Sequence, residues 1–194
     1  QNNATERTNY EIFLETLSSY ANTNAGEIAR RTRLLISEDF SRFSSSFVPI
    51  PNAYETLLLA RHLGYRVVLA TNPVWPLDAV LMRAAWGGLR QFDFDFISHS
   101  EIMTRAKPNP AYYAQLLEKV GTSPKNCLMI GNDPKKDLPA HEEGIRTFLL
   151  EKPETRKNWD KITKDPRLDA WGSLLDLQEW MKANAPDPDV RGNE

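Results

Sequence analysis

The chain has 194 residues, a formal net charge of −2 and an isoelectric point near 6.0, so its composition gives no electrostatic case for binding nucleic acid or an anionic membrane. Its single cysteine, Cys127, excludes an internal disulfide framework and favours a reducing compartment. Because no run approaches the roughly 18 apolar residues of a membrane span and the N-terminal sequence is no signal peptide, we expect a soluble, cytoplasmic protein.

The N-terminal quarter of the chain is predicted to be helical. Apolar residues recur at intervals of three and four from Tyr10 onward, and no strand pattern interrupts them. A serine run ending at Ser46 and two nearby prolines then predict a boundary. We therefore expect a helical, cap-like segment over residues 1–48, a main domain over residues 49–183 and a disordered tail over residues 184–194.

From Pro51 the pattern alternates between helix and strand. Apolar residues at helical spacing end at glycines, and short apolar runs end in polar residues. The predicted order is α-β-α-β-α-β-α-β, which predicts an α/β fold with a parallel sheet and helices on both faces. The polar stretch 151–169 is predicted to be a loop, and Ser173 to cap a last amphipathic helix. The predicted strands cover residues 65–70, about 94–98, 127–130 and 146–150.

Polar residues follow successive predicted strands, and ligands of such sheets bind at the carboxyl ends of strands. Thr71 and Asn72 offer a hydroxyl, an amide and backbone N–H groups to phosphate oxygens. Lys107 follows the next strand, where its ammonium can neutralise a phosphoryl group. Asp133 and Asp137 supply the hard oxygen ligands that Mg²⁺ takes together with a substrate phosphate. We therefore expect these side chains to lie close together at one edge of the sheet.

Each of these signals also has a structural interpretation. Gly131-Asn132-Asp133 is an ordinary turn, and Asp133 is a good N-cap for the helix that follows. An isolated lysine is usually solvated, and Thr-Asn-Pro is a common strand exit. The joint occurrence of these residues at successive strand ends is what favours a site for metal and phosphate.

Three segments resemble the second, third and fourth motifs of the haloacid dehalogenase superfamily, and they come in that family's order. The resemblance covers roughly Pro49 to Leu150, and the helical leader resembles the family's small α-helical cap. It implies a Rossmann-like core and a Mg²⁺-dependent phosphatase that acts on a small phosphorylated compound. The segments are Leu69-Ala70-Thr71-Asn72-Pro73, Lys107-Pro108-Asn109-Pro110-Ala111-Tyr112-Tyr113 and Met129-Ile130-Gly131-Asn132-Asp133-Pro134-Lys135-Lys136-Asp137.

The resemblance implies a role for each candidate residue. Thr71 would hold phosphoryl oxygens, and Lys107 would offset negative charge on the nucleophile and the phosphate. Asp133 would bind Mg²⁺, and Asp137 would support the metal or anchor Lys107. Because the family's acidic motifs allow three or four residues between the carboxylates, Asn132 is an alternative occupant of the first acidic position.

The family's first motif, Asp-x-Asp at the end of the first strand, supplies the nucleophile that forms an aspartyl-phosphate and the general acid/base. No such strand precedes the helical leader, and Asp93-Phe94-Asp95 has these letters in the wrong place. The family's first strand is central, so its omission would open a gap of roughly 10 Å with unpaired backbone on both sides. We therefore expect an Asp-x-Asp strand upstream of Gln1 or on another polypeptide.

Two other functions stay open at this point. A 2-haloacid dehalogenase would use the same nucleophile without a metal ion. A catalytically inactive module would bind a phosphorylated ligand or a partner protein, and its upstream sequence would lack the first aspartate.

Overall fold

The computed structural model describes residues 6–152 and 156–185. Helices and strands alternate from Ala53 onward, so the predicted α/β class is confirmed. Within the described residues no helix is long and apolar enough to cross a bilayer. The α-helices are α1 (Asn9–Tyr20), α2 (Ala25–Leu34), α3 (Ala53–His62), α4 (Leu77–Trp86), α5 (Pro110–Val120), α6 (Pro134–Asp137), α7 (Trp159–Ile162) and α8 (Leu174–Ala183), and the strands are β1 (Val68–Leu69), β2 (Phe96–Ile97), β3 (Leu128–Gly131), β4 (Arg146–Leu150) and β5 (Ala170–Gly172).

Capping residues explain where the helices around the candidate site begin and end. The Asn109 side chain accepts an N–H of the first turn of α5, Pro110 occupies that turn, and Gly121 ends the helix with φ +66°. Ser173 and Asp176 form a reciprocal capping box at the start of α8. The predicted cap at Ser173 is therefore confirmed, and the cap at Asn109, the proline at 110 and the glycine at 121 are the sequence signals that bound α5.

The described strands form two sheets rather than one continuous sheet. Backbone hydrogen bonds pair β1 with β2, and a separate sheet has the order β3-β4-β5. Both pairings of the second sheet are parallel, with Met129 opposite Thr147 and Phe148 opposite Ala170. The parallel arrangement is thus confirmed for β3, β4 and β5, and Gly131 stands at the carboxyl end of an edge strand of this sheet.

The chain divides into two compact units. Thr71 and Asn72 belong to the first unit, and Lys107, Asp133 and Asp137 belong to the second. The first unit comprises the described parts of Gln1–Ile50, Leu69–Asp93 and Ile97–Ala106, and the second those of Pro51–Val68, Phe94–Phe96 and Lys107–Glu194. The division into cap and main domain at residue 48 stays a prediction. The predicted tail lies outside the described residues from residue 186 onward.

The first unit holds the N-terminal helices through backbone and aromatic contacts. The backbone N–H groups of Asn9 and Tyr10, at the start of α1, donate to carbonyls in the loop after β2. After α2 the chain continues as a π-helical turn and a 3-10 helix, where the Phe40 ring packs 5.2 Å from that of Trp75 and 5.1 Å from that of Trp86. Aromatic pairs at such distances stabilise beyond their buried area.

The core of the second unit packs α3 and α8 against β4. Its buried members are Ala60, Phe148, Leu177 and Met181. The Gln178 side chain adds a hydrogen bond from α8 to α3. This core supports β4, and β4 in turn pairs with β3, which leads into the candidate site.

We expect Leu177→Ala to lower the free energy of unfolding by about 2–5 kcal/mol, because it removes buried side-chain atoms and leaves a cavity. Leu175→Ala is the matched control: it lies on the same helix, and its side chain is exposed, so we expect a change within about 0.5 kcal/mol. Urea unfolding followed by circular dichroism measures both. Equal losses in the two variants would contradict the packing of α8.

The sequence overestimates the strands, because an apolar run forms a strand only where a neighbouring strand pairs with it. Residues 65–70 contribute only β1, and residues 94–98 contribute only β2. The apolar run 127–130 also predicts a buried strand, and this is wrong for Ile130, which is 39% exposed. Two short elements, α7 and β5, lie in or next to the predicted loop and carry no helical or alternating pattern long enough to predict them.

Candidate functional site

A buried ion pair joins the two residues that the sequence places after the second and third predicted strands. The Lys107 ammonium donates a hydrogen bond to Asp137 Oδ1 at 2.8 Å, and the two side chains are only 5% and 9% exposed. Burial lowers the pKa of Lys107, and the Asp137 carboxylate acts in the opposite direction. Because desolvation offsets much of the attraction in a buried pair, such a pair is weak evidence for stability and marks a candidate functional site.

The Asp137 carboxylate also fixes the turn that follows β3. Its Oδ2 accepts the backbone N–H groups of Asn132 at 2.9 Å and Asp133 at 3.0 Å. Asp137 is the last residue of the short helix α6, so its side chain points back over the residues that begin the helix. One carboxylate therefore orients both the backbone of the turn and the Lys107 ammonium.

Gly131 leaves the space that the Asp137 carboxylate occupies. A Cβ atom added at Gly131 would lie 2.3 Å from Asp137 Oδ2 and 2.4 Å from its Cβ and Cγ atoms. These distances are far below van der Waals contact, so any larger residue would have to displace the carboxylate. The sequence shows Gly131 only as part of a turn. The structure shows why a glycine is needed there, because the Asp137 side chain approaches the backbone closely.

Asp133 acts as the N-cap of α6. Its Oδ1 accepts the backbone N–H groups of Lys135 at 3.0 Å and Lys136 at 3.3 Å. Asp133 therefore caps the helix, as its structural interpretation predicts. Its side chain is nevertheless 37% exposed, and its Oδ2 makes only a loose ion pair with Lys136 at 3.5 Å. Asn132, the alternative for the first acidic position, is exposed.

The oxygen donors at this turn suit an open Mg²⁺ site rather than a closed metal site made only of protein ligands. Asp133 and Asp137 are two carboxylates four positions apart, and Mg²⁺ takes one or two carboxylates together with waters and substrate phosphate. Among residues 6–152 and 156–185, no three His, Cys, Asp or Glu side chains gather as a metal site. The donor set therefore suits an ion shared with a phosphorylated ligand rather than a structural Zn²⁺.

Two tyrosines surround the Lys107 ammonium. Lys107 Nζ lies over both rings, 5.6 Å from the centroid of Tyr112 and 5.7 Å from that of Tyr113. Burial, with a smaller contribution from Asp137, raises the pKa of Tyr113, so its hydroxyl stays protonated and donates to the Lys136 carbonyl. No pattern in the sequence predicts this contact, although the two residues follow Lys107 by only five and six positions.

Thr71 and Asn72 lie in the first unit, at the end of β1. The Thr71 hydroxyl donates to the Ser98 carbonyl at 2.6 Å, and the Asn72 carbonyl accepts the Val74 N–H at 2.8 Å. These bonds shape the loop after β1. The binding of phosphate by Thr71 and Asn72 stays a prediction, whereas Lys107 and Asp137 are in direct contact within the second unit.

Asp95, the second carboxylate of Asp93-Phe94-Asp95, has structural partners. Its Oδ1 accepts from Arg61 at 3.0 Å, and its Oδ2 accepts the Val67 N–H at 2.5 Å. These bonds link α3, the approach to β1 and the approach to β2. They agree with the interpretation that this Asp-x-Asp is not the catalytic one.

The chain is similar to a large group of known proteins. A family model described as a haloacid dehalogenase-like hydrolase matches residues 11–144, a segment that includes every candidate residue discussed above. A phosphatase of Mycobacterium tuberculosis, MT3486, is 27% identical over 174 residues, which are 86% of this chain and 75% of that protein. The phosphoserine phosphatase of Thermus thermophilus is 29% identical over 141 residues, 72% of this chain but only 55% of that enzyme.

Solved structures show the same fold at lower identity. The crystal structure of a HAD phosphatase from Thermococcus onnurineus has a TM-score of 0.59 with 17% identity, and the match covers 89% of this chain and 90% of that one. At 17% sequence identity this similarity shows a shared fold.

Proposed function

Because the chain belongs to the haloacid dehalogenase-like hydrolases, we propose that it is a Mg²⁺-dependent phosphatase that hydrolyses a phosphate monoester of a small metabolite through an aspartyl-phosphate intermediate. The observation that carries this proposal is the buried Lys107–Asp137 pair beside the exposed carboxylate of Asp133. Two similar proteins, from Mycobacterium tuberculosis and Thermus thermophilus, are phosphatases by name and support the reaction class.

Lys107 supplies the positive charge of the proposed site. A phosphoryl group in transfer carries negative charge on its equatorial oxygens, and a fixed cation stabilises this charge most where water is excluded. Lys107 is held by Asp137 and shielded from solvent, so its ammonium needs little reorganisation during the reaction. Thr71 and Asn72 are separately proposed to bind phosphoryl oxygens through their hydroxyl, amide and backbone N–H groups.

Asp133 and Asp137 are proposed to hold Mg²⁺. When bound, the ion would polarise a phosphoryl oxygen and neutralise negative charge there. Asp137 also anchors the Lys107 ammonium and orders the turn through the backbone N–H groups of Asn132 and Asp133. Asp133 keeps α6 in place through its cap, so both carboxylates combine a structural bond with the proposed ligand role.

The attacking group is proposed to be an aspartate of the Asp-x-Asp motif that the family resemblance implies. Its carboxylate oxygen would bond to phosphorus while the alcohol of the substrate leaves with a proton from the second aspartate. Water would then attack the aspartyl-phosphate and release inorganic phosphate. Asp95 is not proposed for this role, because Arg61 and the Val67 N–H bind its carboxylate.

The test is a substrate panel with the native protein that carries this chain. Phosphate release from small phosphomonoesters and halide release from a 2-haloacid are each measured with Mg²⁺ and after removal of metal by EDTA. We expect phosphate release that EDTA lowers by at least about 10²-fold, because the metal contributes several kcal/mol to stabilising the transition state. Metal-independent halide release would overturn the phosphatase proposal, and so would ligand binding without turnover.

A further inference from the structure

The rings of Tyr112 and Tyr113 both lie next to the Lys107 ammonium. Both side chains are completely buried, and their rings meet edge to face with centroids 5.0 Å apart at 84°. The ammonium lies within 6 Å of both ring centroids. At this distance the negative face of an aromatic ring attracts a cation, most strongly when water is excluded.

Tyr113 also connects α5, the helix that follows Lys107, with α6, the helix that carries Asp137. Tyr112 and Tyr113 lie in the first turn of α5, directly after the Lys107 segment. The Tyr113 hydroxyl donates to the carbonyl of Lys136, the residue before Asp137. The ring faces and the ion pair therefore act on the ammonium itself, whereas the hydroxyl bond ties α5 to α6.

A lysine side chain without such constraints has four rotatable bonds and about 2 kcal/mol of rotamer entropy. Asp137 alone could be reached by several rotamers, because a point charge has little directional preference. The rings of Tyr112 and Tyr113 add two contacts to the ammonium, so a rotamer that turns the ammonium away from them loses this attraction. The orientation that keeps the ion pair and both ring contacts is therefore favoured before substrate arrives.

We propose that Tyr112 and Tyr113 are positioning residues that hold the Lys107 ammonium in its catalytic orientation through their ring faces. This inference rests on the proposed phosphatase function for the role of Lys107. The rings act on Lys107 and do not touch the substrate. Leucine at either position would keep the burial but lose the ring face, whereas phenylalanine would keep both.

The kinetic test compares Tyr112→Leu and Tyr113→Leu with Tyr112→Phe and Tyr113→Phe, using the best phosphomonoester in Mg²⁺. We expect each leucine variant to lower kcat about 10- to 30-fold per folded molecule with KM changed less than about threefold, as loss of a desolvated cation–π contact implies. The phenylalanine variants should keep kcat within about threefold. Tyr113→Phe should also lower the melting temperature, since it loses the bond to Lys136.

Leu116→Ala is the control for simple packing loss. Leu116 lies on the same helix, one turn after Tyr112 and Tyr113, and is buried. We expect it to lower the melting temperature while kcat per folded molecule stays within about threefold of wild type. If the leucine variants of the two tyrosines behave like Leu116→Ala, they are ordinary core residues and the inference is overturned.

A second readout does not depend on turnover. With ¹³C-labelled lysine, the Lys107 Hε resonance, assigned by its loss in Lys107→Met, should be displaced by the ring currents in wild type and in the phenylalanine variants. It should move toward the exposed-lysine position in each leucine variant. If the wild-type protein releases phosphate but shows no such displacement, only the inference about the two tyrosines is overturned. If the wild-type protein releases no phosphate, the proposed function is overturned, together with the catalytic part of this inference.

Discussion

Replacing Lys107 by methionine is expected to lower kcat for phosphomonoester hydrolysis by about 10²–10³-fold, the effect of removing one preorganised charge-stabilising group. The same change should lower the free energy of unfolding by about 3–5 kcal/mol, because it leaves the buried Asp137 carboxylate without its partner. Activity is measured as phosphate release per folded molecule, and stability by urea unfolding.

Two further variants separate these effects. Lys135→Met removes the same charge from an exposed position of α6 and should change neither quantity by much. In the double variant Lys107→Met/Asp137→Asn the unpaired charge is gone and the amide oxygen can still accept the N–H groups of Asn132 and Asp133, so stability should recover relative to Lys107→Met while activity stays lost. Wild-type activity in Lys107→Met would contradict the role of this lysine, and failure of the double variant to recover stability would contradict the buried pair.

Gly131→Ala is expected to be nearly as damaging, although it adds a single methyl group. The new Cβ would lie 2.3 Å from Asp137 Oδ2, so the carboxylate must move, and both the turn and Lys107 move with it. We expect an activity loss of about 10²-fold, the usual consequence of a 1 Å displacement in a catalytic group. Overpacking should also lower the free energy of unfolding by about 1–3 kcal/mol.

The matched control for this variant is Gly87→Ala. Gly87 ends α4, has φ −75°, and a Cβ there would meet its nearest neighbour, the Ala84 carbonyl, at 3.4 Å. Kinetics and urea unfolding of the two alanine variants therefore compare the same chemical change with and without a clash. Equal, small effects at both positions would show that the Asp137 carboxylate is not held against Gly131.

Local signals in the sequence predict the helices well and the strands poorly. Asn109, Pro110 and Gly121 determine α5 through bonds within the segment itself, so its boundaries can be read directly. A strand depends on its neighbour, which may be far away in sequence. For that reason the apolar run 65–70 yields only β1, and the three residues of β5 become a strand only because β4 pairs with them.

The residues of the candidate site likewise divide into those that the sequence predicts and those that it does not. Lys107 and Asp137 can be predicted to meet, because each follows a strand and their charges are opposite. Asp133 is ambiguous in the sequence, since one carboxylate can cap a helix and bind a cation, and the structure shows the cap. The tyrosines beside Lys107 and the clash that Gly131 avoids depend on side-chain directions, which spacing alone does not determine.

Calorimetric titration of inorganic phosphate into the native protein tests most directly whether the Lys107–Asp137 pair lies at a phosphate site. With Mg²⁺ present, the wild-type protein should bind phosphate, and either EDTA or Lys107→Met should weaken binding by at least about tenfold, or 1.4 kcal/mol. Phosphate affinity that is unchanged by both treatments, or the absence of binding to the wild-type protein, would contradict the proposed site.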